Sequence, residues 1–98
     1  MTNTCLQTLF TTYGDRIFCI NLDNGRYIYI GYKDSPKLAD ITLETVEGVD
    51  FIKVKRKNKS MGSIELEFTN FIPSETVQHI GIMDEGFEDY RVDPLLLR

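Results

Sequence analysis

The sequence predicts a mostly-β domain: one short N-terminal helix followed by five or six antiparallel strands closed into a small barrel. Three observations carry that prediction. The chain has 98 residues, 42% of them apolar and 27% charged, which suits one globular domain with one core. Hydrophobic spacing switches from a helical to an alternating period after Gly14. Beyond that point, runs of strand length are separated by turn-forming residues, above all Asp23-Asn24-Gly25, Glu47-Gly48 and Pro73-Ser74. An open five-stranded sheet would leave pairing edges exposed, and closure would hide them.

Taken in order, Met1 to Tyr13 reads as a helix because Leu6, Leu9, Phe10 and Tyr13 share one face. Gly14 stands where a helix ends in a positive φ. Arg16 to Leu22 is a β-rich run, and Asp23-Asn24-Gly25 is a hairpin turn leading into a second strand, Arg26 to Tyr32. That strand alternates Tyr27 and Tyr29 with Ile28 and Ile30, which predicts cover on both faces. Asp34-Ser35-Pro36 breaks it. A third strand spans Ala39 to Val46, and after Glu47-Gly48 a fourth spans Val49 to Lys55, anchored by Phe51. Arg56 to Ser60 reads as a polar loop. Ile64 to Phe68 alternates an apolar with an acidic face, Phe71 to Ser74 reads as a turn, and Val77 to Met83 is the last strand. The barrel therefore covers residues 1–83, with Leu22, Ile41, Leu66 and Ile80 sharing its interior. Residues 84–98 form an acidic, then apolar, tail.

Composition narrows the function classes. A core and a deep enclosed active site compete for apolar residues in so short a chain, so a non-enzymatic binding role is expected. Cys5 and Cys19 are too few for a disulfide scaffold and match no zinc spacing, and Cys19 in Ile17-Phe18-Cys19-Ile20 reads as a buried reduced thiol. No signal-like opening and no run of about 20 apolar residues is seen, which predicts a soluble, cytoplasmic protein with no membrane partner. The net charge is −4, yet Lys53, Lys55, Arg56, Lys57 and Lys59 crowd one short stretch. A general nucleic-acid coat needs a broader positive surface, so any such contact is confined to that segment.

The strand punctuation resembles the Sm-like small β-barrel family. Leu22-Asp23-Asn24-Gly25-Arg26 stands in for its first turn, Asp40-Ile41-Thr42-Leu43 for its Asn-Leu-x-Leu step, and Ile72-Pro73-Ser74 with Val77 and Ile80 for its second motif. The resemblance spans residues 1–83. It implies a barrel with an N-terminal helix, ring assembly by strand addition, and a nucleotide site lined by the loop after the second strand, here Tyr32 to Asp40. The chemistry departs from the family. Its mid-strand glycine falls at Ile30, with Gly31 one position late. Its RNA-reading asparagine falls on Asp40, an anion, and its Arg-Gly pair becomes Pro73-Ser74, which loses the guanidinium. Binding of uridine-rich RNA is therefore not implied.

Among chemistry-bearing residues, Glu65 and Glu67 on one strand face read as a solvated acidic face rather than an acid–base pair. His79 is the only histidine, without ligand-spaced neighbours, and reads as a surface imidazole. No nucleophile elbow or phosphate loop is present, and no cofactor or metal is expected. The expected ligand-binding residues are Tyr32, Lys33, Lys37, Asp40 and Ser74, with Tyr27 and Tyr29 adjoining: aromatic faces stack bases and ammonium groups neutralise phosphate. The expected partner is a protein or small nucleotide-like ligand, by analogy with phage-encoded inhibitors and sequestering proteins, with homo-oligomeric assembly. The alternative is RNA or DNA binding through Lys53, Lys55, Arg56, Lys57 and Lys59.

Overall fold

A computed structural model of the chain describes residues 1–32, 35–59 and 65–84, with backbone alone at 58, 59 and 65. Lys33, Ile64 and most of the tail lie outside the described residues.

Helix α1 runs Asn3–Tyr13. Thr2 caps it by accepting from the Cys5 N–H at 3.2 Å, which satisfies one of the free donors of the first turn. Gly14 ends it at φ 48°, the positive value expected of that position, and donates its N–H to Phe10 O. Leu6 and Phe10 are buried, and Tyr13 packs against the same core, so the apolar stripe faces inward as its spacing predicts.

Six strands follow: β1 (Ile17–Leu22), β2 (Tyr27–Tyr29), β3 (Ile41–Val46), β4 (Val49–Lys59), β5 (Glu65–Pro73) and β6 (Val77–Ile82). They form two antiparallel three-stranded sheets, β2-β1-β6 and β3-β4-β5. The Asp23–Gly25 hairpin forms as expected: Leu22 N–H donates to Arg26 O at 2.9 Å, and Gly25 adopts φ 78°. The helix and both sheets enclose one core, in which Leu6 and Phe10 meet Ile17, Ile20 and Ile28 of the first sheet and Ile41, Ile52 and Val54 of the second.

Several expectations are corrected. The sheets do not close into a barrel: among the described residues no ladder joins β2 to β3 or β5 to β6. The cause is local. β2 stops at Tyr29, because Gly31 turns the chain at φ 80°. Gly31 N–H then donates to Pro36 O and Ser35 N–H to Tyr32 O, which sets 35–36 back beside 31–32, where the sequence predicted strand to Tyr32. A 3-10 turn at Ser74–Thr76 separates β5 from β6.

The polar loop expected at Arg56–Ser60 is strand as far as Lys59, because its backbone stays in register with β5 from Phe68 back to Glu65. Lys57 lies opposite Glu67, with Nζ 3.5 Å from the carboxylate. Phe71-Ile72-Pro73, expected as a turn, ends β5 in register with Lys53, Ile52 and Phe51. Leu66 leaves the expected common interior. Leu22 and Ile41 are in the core and Ile80 packs on it, but Leu66 is 49% exposed, because the β4–β5 hairpin runs on past the helix and first sheet.

Candidate functional site

The first sheet places small or polar residues on its central strand and aromatic residues beside them. β1 pairs with β2 so that Cys19 lies opposite Tyr29 and Asn21 opposite Tyr27. On its other side Cys19 lies opposite Gly81 and Asn21 opposite His79 of β6. Directly paired residues share a face, so the outer surface carries two cross-strand rows, Tyr27–Asn21–His79 and Tyr29–Cys19–Gly81. The opposite face carries Ile20, Ile28 and Ile80 and closes on the core.

The tyrosines were expected to be covered, yet Tyr27 is 53% and Tyr29 41% exposed. Their rings run near-parallel, 15° apart with centroids 5.9 Å apart. Tyr29 also meets the buried Tyr32 edge-on at 5.8 Å. The result is an aromatic ridge along the sheet edge, held at its inner end by a core tyrosine. Beyond β1, Gly81 leaves space that the Phe18 ring fills: a Cβ at Gly81 would lie 2.5 Å from Cys19 Sγ and 2.8 Å from Phe18 Cζ. Cys19 is buried and reduced, as its apolar run predicts. Burial pushes its thiol pKa up, and a backbone hydrogen bond from Gly81 draws it partly back.

The residues expected to bind a ligand are dispersed. Tyr32 is buried at the base of the ridge and Lys37 is exposed in the segment that follows. Asp40 is half-buried, and its carboxylate accepts the Lys37 backbone N–H at 3.0 Å, which holds that segment in its turn. Lys33 lies outside the described residues. Ser74 does not join this surface. It is fully buried, its hydroxyl donates to Asn3 Oδ1, and its carbonyl accepts from the Met1 ammonium at 2.9 Å.

The basic stretch is a strand with a divided set of side chains. Lys53, Lys55 and Lys57 alternate onto one face, and the side chain of Lys59 lies outside the described residues. Lys53 Nζ is 3.1 Å from Glu44 and stands over the Phe71 ring, and Lys57 pairs with Glu67. Arg56 takes the opposite face, in register with Phe68. Glu67 is thus an ion-pair partner on an exposed face.

A concavity of about 590 Å³ lies apart from the ridge, between α1 and β3, and is lined by Thr4, Gln7, Thr8, Thr45 and Leu43 among others. Some of these are already engaged: Gln7 donates to Thr11 Oγ1 and Thr8 to Thr4 O. Among the described residues no three His, Cys, Asp or Glu side chains gather to hold a metal ion, and no helix is long and apolar enough to cross a membrane.

Sequence reasoning singled out the tyrosines from their alternation. It missed Asn21, whose one local signal is an amide interrupting the apolar run Ile17–Leu22. Comparison with protein-family models, with curated proteins and with solved structures finds no match to this chain.

Proposed function

We propose that the protein is a non-enzymatic, self-associating binding protein whose tyrosine ridge receives a small planar, nucleotide-like ligand. The observation that carries this reading is the exposed, near-parallel Tyr27–Tyr29 pair braced by buried Tyr32. Exposed aromatic rings already fixed by a neighbour lose little freedom on stacking, and stacking on such a ring contributes roughly 1–3 kcal/mol per base. Lys37, in the segment after the ridge, supplies an ammonium for an anionic group.

Self-association, in the manner of the Sm-like family, is supported by β5. Its outer edge is unpaired among the described residues, and it exposes Leu66 and Phe68 on one face and Phe71 on the other. A strand added along that edge covers apolar surface on both sides at once and removes an aggregation-prone edge.

Titration of the purified chain with nucleoside mono- and diphosphates, followed by tyrosine fluorescence and calorimetry, tests the ligand reading. Saturable binding weakened about tenfold or more by Tyr27→Ala or Tyr29→Ala is expected. No binding, or binding indifferent to both substitutions, refutes it. Native mass spectrometry tests assembly: oligomers that dissociate in a Phe68→Glu variant are expected, and a bare monomer at micromolar concentration refutes that part.

A further inference from the structure

The ridge does not stand alone on its face, and what lies beside it points to the kind of ring it holds. Asn21 sits on the central strand between Tyr27 and His79. Neighbouring strands lie about 4.8 Å apart, so the tyrosine and imidazole backbones stand roughly 9.5 Å apart across the amide. Asn21 is half-buried, and its carboxamide has no protein partner among the described residues. A carboxamide on a central strand, with aromatic surface to one side, offers a donor and an acceptor in one plane.

Resting on the binding role proposed above, we infer that Asn21 reads the edge of the bound ring, and that the ring is adenine-like. An Asn amide is complementary to a ring nitrogen acceptor beside an exocyclic amine, the pattern of adenine N7 and N6. In this arrangement the base lies against Tyr27 and Tyr29 with its amine edge over Asn21, and His79 closes the far side. In the next row the Phe18 ring fills the space that Gly81 leaves and bounds the site on that side. Tyrosines alone accept any flat ring; the amide makes the site selective.

The test compares adenosine with purine riboside, which keeps the ring system and lacks the exocyclic amine, on the full chain and on Asn21→Leu, Asn21→Ser and Tyr27→Ala variants. Circular dichroism and one-dimensional proton NMR establish that each variant is folded. Adenosine is expected to bind about tenfold or more tightly than purine riboside, within the range of one bidentate amide contact. Both Asn21 variants abolish that preference while retaining ring binding, and Tyr27→Ala weakens both nucleosides. Equal binding of the two nucleosides, or a preference that survives Asn21→Leu and Asn21→Ser, overturns the inference. If binding then still depends on Tyr27, the broader ligand reading stands; if nothing binds, both fall.

Discussion

Removing the Asn3 side chain is expected to loosen the whole molecule, although Asn3 is only half-buried and sits in the first turn of the helix. Its Nδ2 donates to Glu44 O at 3.0 Å and lies 3.5 Å from Phe51 O, while its Oδ1 accepts from the buried Ser74 hydroxyl. One short amide therefore ties α1 to β3, β4 and the turn before β6. In Asn3→Ala, two hydrogen bonds worth about 1 kcal/mol each are lost, and the Ser74 hydroxyl is stranded at a further cost of about 1–3 kcal/mol. Water reaching Glu44 O offsets part of this, which leaves roughly 2–4 kcal/mol. With a urea m-value of about 2 kcal/mol/M, the unfolding midpoint falls by about 1–2 M. The same argument requires coupling between Asn3→Ala and Ser74→Ala above about 0.5 kcal/mol, because each removes the other's partner. Asn3→Asp keeps the acceptor for Ser74 but sets an anion against Glu44 O and near Asp50, which already accepts the Asn3 backbone N–H at 2.8 Å, so it is no milder. A change below about 0.5 kcal/mol in Asn3→Ala, or additive single and double variants, refutes the anchoring role.

Other perturbations separate local from packing effects. Glu47 and Gly48 both adopt positive φ, 50° and 80°, at the tip of the β3–β4 hairpin, so Glu47→Asn is expected to stabilise by about 0.5 kcal/mol and Gly48→Ala to destabilise by about 1 kcal/mol, read from urea midpoints. Gly81→Ala drives its methyl group into Cys19 Sγ and the Phe18 ring and is expected to cost about 1–3 kcal/mol; a neutral result refutes the close packing of that row. Under native conditions a thiol reagent should label exposed Cys5 promptly and buried Cys19 only on unfolding. The raised thiol pKa of Cys19 also makes its contribution to stability complete below the unfolded value near 9.0 and lost as pH rises through the folded one, a slope that Cys19→Ala removes.

Local pattern carried the fold where a segment's own residues decide its shape. The stripe of Leu6 and Phe10 buries one helix face, and Asn24-Gly25 closes a hairpin, because both depend on neighbours in sequence. Closure into a barrel did not follow, since it hinged on whether the chain stayed extended past Gly31. Alternation at Leu66 and Phe68 correctly indicated strand, but it cannot tell which face another layer covers, and the hairpin outruns its cover. Polarity marks Arg56 to Ser60 as a loop, although the spacing by two of Lys55, Lys57 and Lys59 is itself a strand signature once an acidic strand lies opposite. The site divides the same way. Tyr27 and Tyr29 were legible from their period, whereas the Asn21–His79 row is a fact of register between distant strands. Ser74 was spent on a contact with Asn3 that no local pattern announces.

Charge decides between the two proposed ways for this chain to hold a nucleotide. The net charge is −4, and two of the three lysines on β4 whose side chains are described are already paired with Glu44 and Glu67. A ligand held by stacking and an amide edge gains little from those cations, and the protein's overall field repels its phosphate. Affinity for a nucleoside monophosphate should therefore change by less than about tenfold between 50 and 500 mM salt, because a ligand of at most two charges would meet one ammonium, that of Lys37. Contact of an RNA or DNA strand with Lys53 to Lys59 instead releases several condensed counterions, giving a slope of log affinity against log salt of about −3 or steeper. Fluorescence titrations across that salt range measure the slope directly. A steep slope abolished by Lys55→Glu would return the ligand to the β4 face and leave the tyrosine ridge without its proposed role.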